Sequence, residues 1–366
     1  MRVVIEPLDD VESFLDEWRR VYALSDAHFF LSPCWVETLI AVSGDPARFN
    51  CLKLYDDLRG VYALALISRP DRRPFPALRA ARLNESGVES LDGVYIEYND
   101  LLIARDAPED ARAAAVTAIL DAHRDADQLV FRNILRPMAA AVTSACAAAG
   151  VEVEVLNRQP TFGIDLASRG PSLIESFPAS LRYKVKRSIR RYRERGAVLL
   201  ERPSGDADRA VAWTEMMRLH AETWARRGQR GAFQERRFRT FHEHMIERFP
   251  RHVDLARLTA GEETIGILYN FVMGGRAYNY QSGFKYESDN QLTPGFVAHT
   301  LAAQQYLDEG YSTYDFMAGD AEYKRRLGEE GELLLTMAIT RRNLRSRLRA
   351  AAKPLFDLRH AGTHRT

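Results

Sequence analysis

Apolar positions along the chain alternate between strand-like runs and the three-to-four spacing of one helix face, which predicts strands and helices taking turns. Arg2–Glu6 is a β-branched run ended by Pro7 and predicts a first strand. Val11, Phe14, Leu15, Trp18 and Val21 share one face of a helix begun at Asp9 or Asp10 and running through Ala23. Ser32 and Pro33 suit the N-cap and N1 of a helix containing Trp35 and Leu39. Phe49–Tyr55 and Gly60–Ser68 read as a hairpin across Asp56-Asp57, 69–76 as a loop, and Val94–Ile103 as a strand. A helix over Asp106–His123, a strand over Leu129–Ile134, a helix over Pro137–Ala149 stopped by Gly150, and a strand over Val151–Leu156 complete an α/β domain spanning 1–160.

Asn157–Ser180 holds Pro160, Pro171 and Pro178 and reads as a linker. Ser180–Gly196 predicts a basic helix with eight basic residues against one acid, and an apolar stripe of Leu181, Val185, Ile189 and Tyr192. A strand at Ala197–Glu201 and helices from Asp206 or Asp208 to Ala225 and over Glu235–Phe249 follow. Leu255–Thr259, Thr264–Met273 and Arg276–Gly283 form a meander with turns at Gly261-Glu262-Glu263 and Gly274-Gly275. Thr293 as N-cap, Pro294 at N1 and Gly310 at C′ bound the next helix. A short strand at Tyr314–Phe316, a short helix over Asp320–Leu327 and a strand over Glu332–Thr340 close the second domain, which a basic helix over Arg341–Ala352 extends to 352; 353–366 reads as a tail.

Composition changes this picture mainly by exclusion. An apolar share of 46%, a charged share of 28% and a net charge of +1 describe a globular chain with no global bias toward nucleic acid or membrane. Three scattered cysteines, Cys34, Cys51 and Cys146, lack metal-ligand spacing, so no metal is expected and a reducing compartment is. No apolar run reaches the ~18–20 residues of a membrane span, and acidic residues follow the N-terminal strand at once, so a cytoplasmic protein without membrane insertion is expected.

Candidate chemistry concentrates in Tyr278–Leu327. Gly295 at a helix mouth leaves room for a pyrophosphate to approach free N–H groups, although Thr293-Pro294-Gly295 also reads as a plain helix start. Asp315, pointing away from Tyr314 and Phe316, suits a base or substrate anchor, or equally an ion-pair partner for Lys324 or Arg325. Lys324 suits a phosphate or an acidic acceptor, and His220 a general base or a structural histidine. Trp224 and Tyr280 suit the walls of an acceptor pocket, or aromatic core. Arg187 lies in the basic helix, which suits the phosphates of CoA, a nucleotide-linked sugar, a charged tRNA or anionic lipid; its bland reading is a solvated amphipathic helix.

The element order of the second half resembles the GNAT N-acyltransferase fold. Tyr280-Gln-Ser-Gly-Phe, Thr293-Pro-Gly and Tyr314-Asp-Phe-Met-Ala-Gly-Asp-Ala-Glu-Tyr-Lys324 resemble the CelD/BcsL-type acetyltransferases linked to exopolysaccharide synthesis, themselves similar to FemAB ligases with tandem GNAT-like domains. Phe29–Trp35, the basic helix and His220-Ala-Glu-Thr-Trp224 fit the same resemblance. The usual pyrophosphate loop Gln/Arg-x-x-Gly-x-Gly/Ala is absent, since Gln291 precedes Gly295 by four positions and Phe296 follows it.

The resemblance implies tandem GNAT-like α/β domains, each a mixed, mainly antiparallel sheet flanked by helices. It implies an acyl-CoA, acetyl-CoA first, bound along Gln281, Ser282, Gly283, Thr293, Gly295 and Phe296, with oxyanion donors on the Tyr278–Gly283 backbone and Tyr323 protonating the leaving thiolate. The expected acceptor is an amine or hydroxyl of a sugar, nucleotide-sugar or envelope precursor, held in the cleft between domains. Two rival expectations are a FemAB-like ligase using aminoacyl-tRNA, whose usual coiled-coil arm is longer than the helix over 180–196, and a non-catalytic module binding an anionic ligand.

Overall fold

A computed structural model describes residues 1–70, 75 and 77–348. By contact these form two compact units: Met1–Arg158 with the described residues from Leu334 on, and Gln159–Leu333. The second expected domain ran on to 352; its last part beyond 348, and the tail with Leu355, lie outside the described residues. The fold is mixed α/β with mainly antiparallel sheets.

The first unit begins with β1 (Arg2–Pro7), α1 (Val11–Ala23), α2 (Pro33–Ser43), β2 (Phe49–Asp56) and β3 (Gly60–Ser68). Asp10 caps α1 through Ser13 N–H, and Ser32 caps α2 through Trp35 N–H, as their positions predict. β4 (Ala80–Arg82), α3 (Glu89–Asp92), β5 (Leu102–Ile103), α4 (Ala111–Ala122), β6 (Gln128–Ile134) and α5 (Arg136–Ala149) follow. β1, β2, β3 and β5 make one antiparallel sheet. The expected strand over Val94–Ile103 reduces to β5, because asparagine side chains take over the backbone bonding there. Asn84 Oδ1 accepts from Leu66 N–H, and Asn99 Nδ2 donates to the carbonyls of Leu83 and Arg132. Tyr95 and Tyr98 adopt positive φ along that segment, which breaks a strand. The helix expected from Asp106 begins only at Ala111, at α4.

β7 (Glu154–Asp165) carries the chain into the second unit, so most of the expected linker is strand or helix. Thr161–Asp165 pair with a later strand, and Pro160, lacking an N–H, still offers its carbonyl to Gly319. α6 (Leu173–Ser176), α7 (Ala179–Arg193), β8 (Val198–Glu201), α8 (Asp206–Arg226) and α9 (Arg236–Arg248) follow. Ser180 is not the cap of α7; Pro178 occupies that position and Ser180 lies inside the first turn. The meander is β9 (Val253–Ala260), β10 (Glu263–Met273) and β11 (Arg276–Phe284), and α10 (Pro294–Asp308), β12 (Thr313–Ala318), α11 (Glu322–Leu327) and β13 (Glu329–Thr340) follow, with helical residues again at 344–348. Gly274 and Gly275 both take positive φ in the two-residue turn of β10–β11, the conformation such a hairpin requires. Leu335–Thr340 of β13 pair antiparallel with β6 in the first unit.

Within the second unit the strands run β7-β12-β11-β10-β9-β8. Alternation along β10 sorts the two faces: Leu268 joins the core under α7 and α10, while Tyr269 meets Trp213 of α8 and His242 of α9. No helix among the described residues is long and apolar enough to cross a membrane.

Candidate active site

β11 and β12 are parallel neighbours for only three pairs, Arg276–Tyr278 against Thr313–Asp315. Beyond Tyr278, β11 keeps β10 on one side and leaves its other backbone edge open. A bulge falls in the same place: Asn279 faces Asn270 and Gln281 faces Tyr269, so Tyr280 has no opposite number. The extra residue breaks strict alternation. Tyr280 stacks toward Phe238 and His242 on the α9 side, and Gln281 hydrogen-bonds His220 of α8.

Close approach of α8 to β11 depends on Gly283, where a Cβ would lie 2.9 Å from Leu219 Cβ, 3.0 Å from Met216 O and 3.1 Å from His220 N. His220 is thereby buried, and its Nε2 accepts from Trp224 Nε1 at 2.8 Å. Burial, opposed by the Gln281 hydrogen bond and helped by the charge of Arg227, pulls its imidazole down to about 4. The ring is neutral at pH 7, and it holds Trp224 and Gln281 in place.

At the mouth of α10, Thr293 does not cap with its side chain. Its N–H donates to Ser188 Oγ of α7 at 2.9 Å, while its Oγ1 is buried with no protein partner. Gly295 lies against the Phe284 ring, 3.2 Å from where a Cβ would sit. Lys184 Nζ stands 3.9 Å from the centre of the Phe296 ring, and the Arg326 guanidinium 5.5 Å from it. Arg187 lies over Tyr183, and its Nε is buried without a hydrogen-bond partner. Burial first, then Arg326 and Arg187, lower the affinity of Lys184 for its proton. Cations that crowd one another at a helix N-terminus are a receptive place for a phosphate.

On β12, Asp315 is buried, and its Oδ1 accepts from Met317 N–H at 2.7 Å, shaping a turn in which Met317 takes φ +63. Lys324 aims Nζ at the carbonyls of Met317 and Ala318, the first at 3.4 Å. Tyr323, between these groups and α10, stacks face to face on His299 at 5.3 Å and 7° and meets Phe316 edge-on. Burial pushes the Tyr323 phenol up to about 12, with Arg227 pulling the other way, so it stays protonated at neutral pH.

Three features escape sequence reading. His299 of α10 is buried, bonds Tyr314 Oη at 2.9 Å, and is pulled down to about 3 by burial and Lys324; its signal was a single titratable ring on an apolar helix. Arg227 bears electrostatically on both His220 and Tyr323, which no spacing announces. Ser282 Oγ donates to Asn279 Oδ1, Asn279 Nδ2 to Asn270 Oδ1, Asn270 Nδ2 to Tyr306 Oη, and Tyr306 Oη to the Asp254 carboxylate, which Arg202 holds at 2.9 Å. Because Asp254 only accepts, every donor in this chain points toward it, which leaves Ser282 Oγ with lone pairs only.

Residues 179–325 match the family model described as an acetyltransferase (GNAT) domain. Among solved structures, FemX aligns over 98% of this chain and 99% of its own at 13% identity and a TM-score of 0.61. The C-terminal domain of a putative lysylphosphatidylglycerol synthetase from Agrobacterium fabrum aligns over 94% and 95% at 12% identity and 0.53. L-PGS from Bacillus licheniformis aligns over 95% and 97% at 13% identity and 0.53. At such identities these likenesses show the fold alone. No curated protein matches the sequence. The family match, over residues 179–325, lies wholly within the unit that holds the diverging strands, and that stretch is therefore similar to a GNAT acetyltransferase domain.

Proposed function

We propose that this domain moves an acyl group, acetyl first, from an acyl-CoA to an amine or hydroxyl of a sugar, nucleotide-sugar or envelope-polysaccharide precursor in the cytoplasm, in the manner of the CelD/BcsL type. The observation that carries the reading is the divergence of β11 from β12 after three pairs, with Tyr323 packed on Phe316, the first β12 residue past the last pair. An open strand edge offers N–H groups to a bound thioester and to the oxyanion formed from its carbonyl. The cations around Phe296 and the mouth of α10 fit the CoA phosphates.

The acceptor nitrogen or oxygen attacks the thioester carbonyl carbon, the C–S bond breaks, and the thiolate takes the Tyr323 proton, which solvent then replaces. The acceptor's own proton leaves to solvent. With Oδ1 committed to Met317, and His220 neutral and bound to Trp224, Asp315 and His220 position the site in this scheme.

Tyr323→Phe keeps the ring stacked on His299 and removes only the proton donor. It should lower kcat for thiol release by about 10²–10⁴ while leaving acetyl-CoA affinity intact. An unchanged kcat would remove Tyr323 from the chemistry, and absence of any acyl-CoA binding by calorimetry would remove the donor assignment.

The shared FemX fold favours one rival, transfer from an aminoacyl-tRNA. Against it, part of the basic charge on α7 is already paired, Arg182 and Lys186 with Glu175 and Arg191 with Asp289, and just past the helix Arg195 is paired with Glu287. Filter binding of aminoacyl-tRNA, set beside acetyl-CoA calorimetry, separates the two.

A further inference from the structure

The first unit holds a cavity of its own, of about 380 Å³, walled by the loop between α1 and α2, the segment from Tyr98 through β5, and the mouths of α4 and α5. One side chain in that wall is held there against a conformational penalty. Tyr98 is buried and takes φ +49, which a bulky residue rarely adopts. Strain of this kind costs about 1–3 kcal/mol and persists where the surroundings fix the residue, most often at ligand sites. Here it lays the Tyr98 ring flat against His28, with centroids 4.1 Å apart and an interplanar angle of 10°. Both rings line the cavity, so its wall carries a fixed planar face.

The charged groups of the wall are engaged mainly with one another. Arg112 donates from Nε to Asp100 Oδ1 at 2.9 Å and from Nη2 to Oδ2 at 2.8 Å, and Asp100 Oδ1 also accepts from Leu101 N–H at 2.7 Å. Arg105 donates to Asp26 at 2.6 Å and to the Ser25 carbonyl at 2.7 Å. Glu109, exposed on the lining, has no ion-pair partner among the described residues. With both arginines already holding carboxylates and a third carboxylate unpaired, the cavity repels a phosphate. The same pairs keep lone pairs and N–H groups beyond those used between them, set around a ring face with Leu101, Ile103 and Leu135 beside it. Flat aromatic surface ringed by planar donors and acceptors, without net positive charge, suits an uncharged polyhydroxyl ring.

We propose that the first unit binds an uncharged sugar in this cavity, with a pyranose face on the His28–Tyr98 pair and hydroxyls on Asp100–Arg112, Asp26–Arg105 and Glu109. The site lies outside residues 179–325 and is one of recognition, with no bond made or broken. It goes beyond the acyl-transfer reading and does not depend on it.

Saturation-transfer NMR tests it, with cellobiose and di-N-acetylchitobiose as probes on the full-length protein, alone and saturated with acetyl-CoA. At least one disaccharide should show transfer under both conditions, and glucose 6-phosphate should not displace it. His28→Ala should weaken binding roughly tenfold, whereas His28→Phe, which keeps a flat ring, should hold it within about threefold of wild type. Glu109→Trp fills the cavity from an exposed position and should block binding; it decides the matter if His28→Ala fails to fold. Acetyl-CoA affinity should be unchanged in every variant. Absence of transfer to either sugar, wild-type binding in His28→Ala or Glu109→Trp, or displacement by glucose 6-phosphate would each overturn the proposal. If wild-type protein binds no acetyl-CoA, the donor reading fails alone, and the sugar site is still judged on these variants.

Discussion

A single methyl group at residue 283 tests whether the contact between α8 and β11 is as tight as it looks. In Gly283→Ala the new Cβ would meet Leu219 Cβ at 2.9 Å, Met216 O at 3.0 Å and His220 N at 3.1 Å. Two of these are backbone atoms, so no side-chain rotation relieves them. Restoring ordinary contact near 3.4 Å requires α8 to retreat by roughly 0.3–0.5 Å, and overpacking of this kind costs about 1–3 kcal/mol. For a unit of this size that is a fall in melting temperature of about 2–12 °C, at about 2–4 °C per kcal/mol. His220 and Trp224 move with the helix, away from Gln281 on β11, so turnover should fall roughly tenfold, a fraction of the loss expected for a full 1 Å misplacement. Gly170→Ala is the control. Nothing lies within 4 Å of its added Cβ and its φ is ordinary, so it should be neutral or stabilising by up to about 1 kcal/mol. Thermal denaturation followed by circular dichroism, with hydrogen exchange along α8, reads both variants. If Gly283→Ala melts with Gly170→Ala and α8 exchanges as in wild type, the packing argument is wrong.

Two further outcomes follow from buried charge. His242 and His299 are both pulled down to about 3 by burial, from an ordinary value of 6.5, so the folded protein refuses a proton that the unfolded chain accepts. Their stabilising contribution is complete above pH 6.5 and is lost as pH falls toward 3. Melting temperature should therefore drop across that window, and His242→Asn should flatten the drop; an identical acid limb in the variant would refute the assignment. Lys324→Met should lower stability by about 1–3 kcal/mol in urea denaturation, because it strips the donor from the carbonyls of Met317 and Ala318. Wild-type stability in that variant would show the lysine to be dispensable for the β12 turn.

What the sequence disclosed, and what it hid, divides along the range of the interactions. α10 was legible because Pro294 and Gly310 act locally, and Gly310 does take φ +80 just past the helix. The β9–β11 meander was legible for the same reason, through glycine turns at fixed positions. Thr293 sits at the N-cap as its position predicts, but its side chain makes no capping bond, and the donation of its N–H to Ser188, far away in the chain, has no local signal. β7 was hidden because prolines suggest a linker, whereas pairing of Thr161–Asp165 with β12 is a long-range event that overrides them. Within the site, Tyr323, Trp224, His220 and Gln281 were all singled out beforehand. Their grouping was not, since the bulge at Tyr280 that turns Gln281 toward His220 has no local signature. His299 and Arg227 gain their importance only from what the fold brings beside them.

The return of the chain through β13 bears on how the molecule is made. Strand β6 ends at Ile134, yet its antiparallel partner is Leu335–Thr340. During synthesis, the whole of Gln159–Leu333 leaves the ribosome before that partner exists. The second unit thus has the opportunity to close first, while β6 waits with an exposed edge that a long-range pairing must later cover. A stop codon at position 334 or 335 would spare every residue of the second unit and strike the earlier-made half, whose sheet would never be finished.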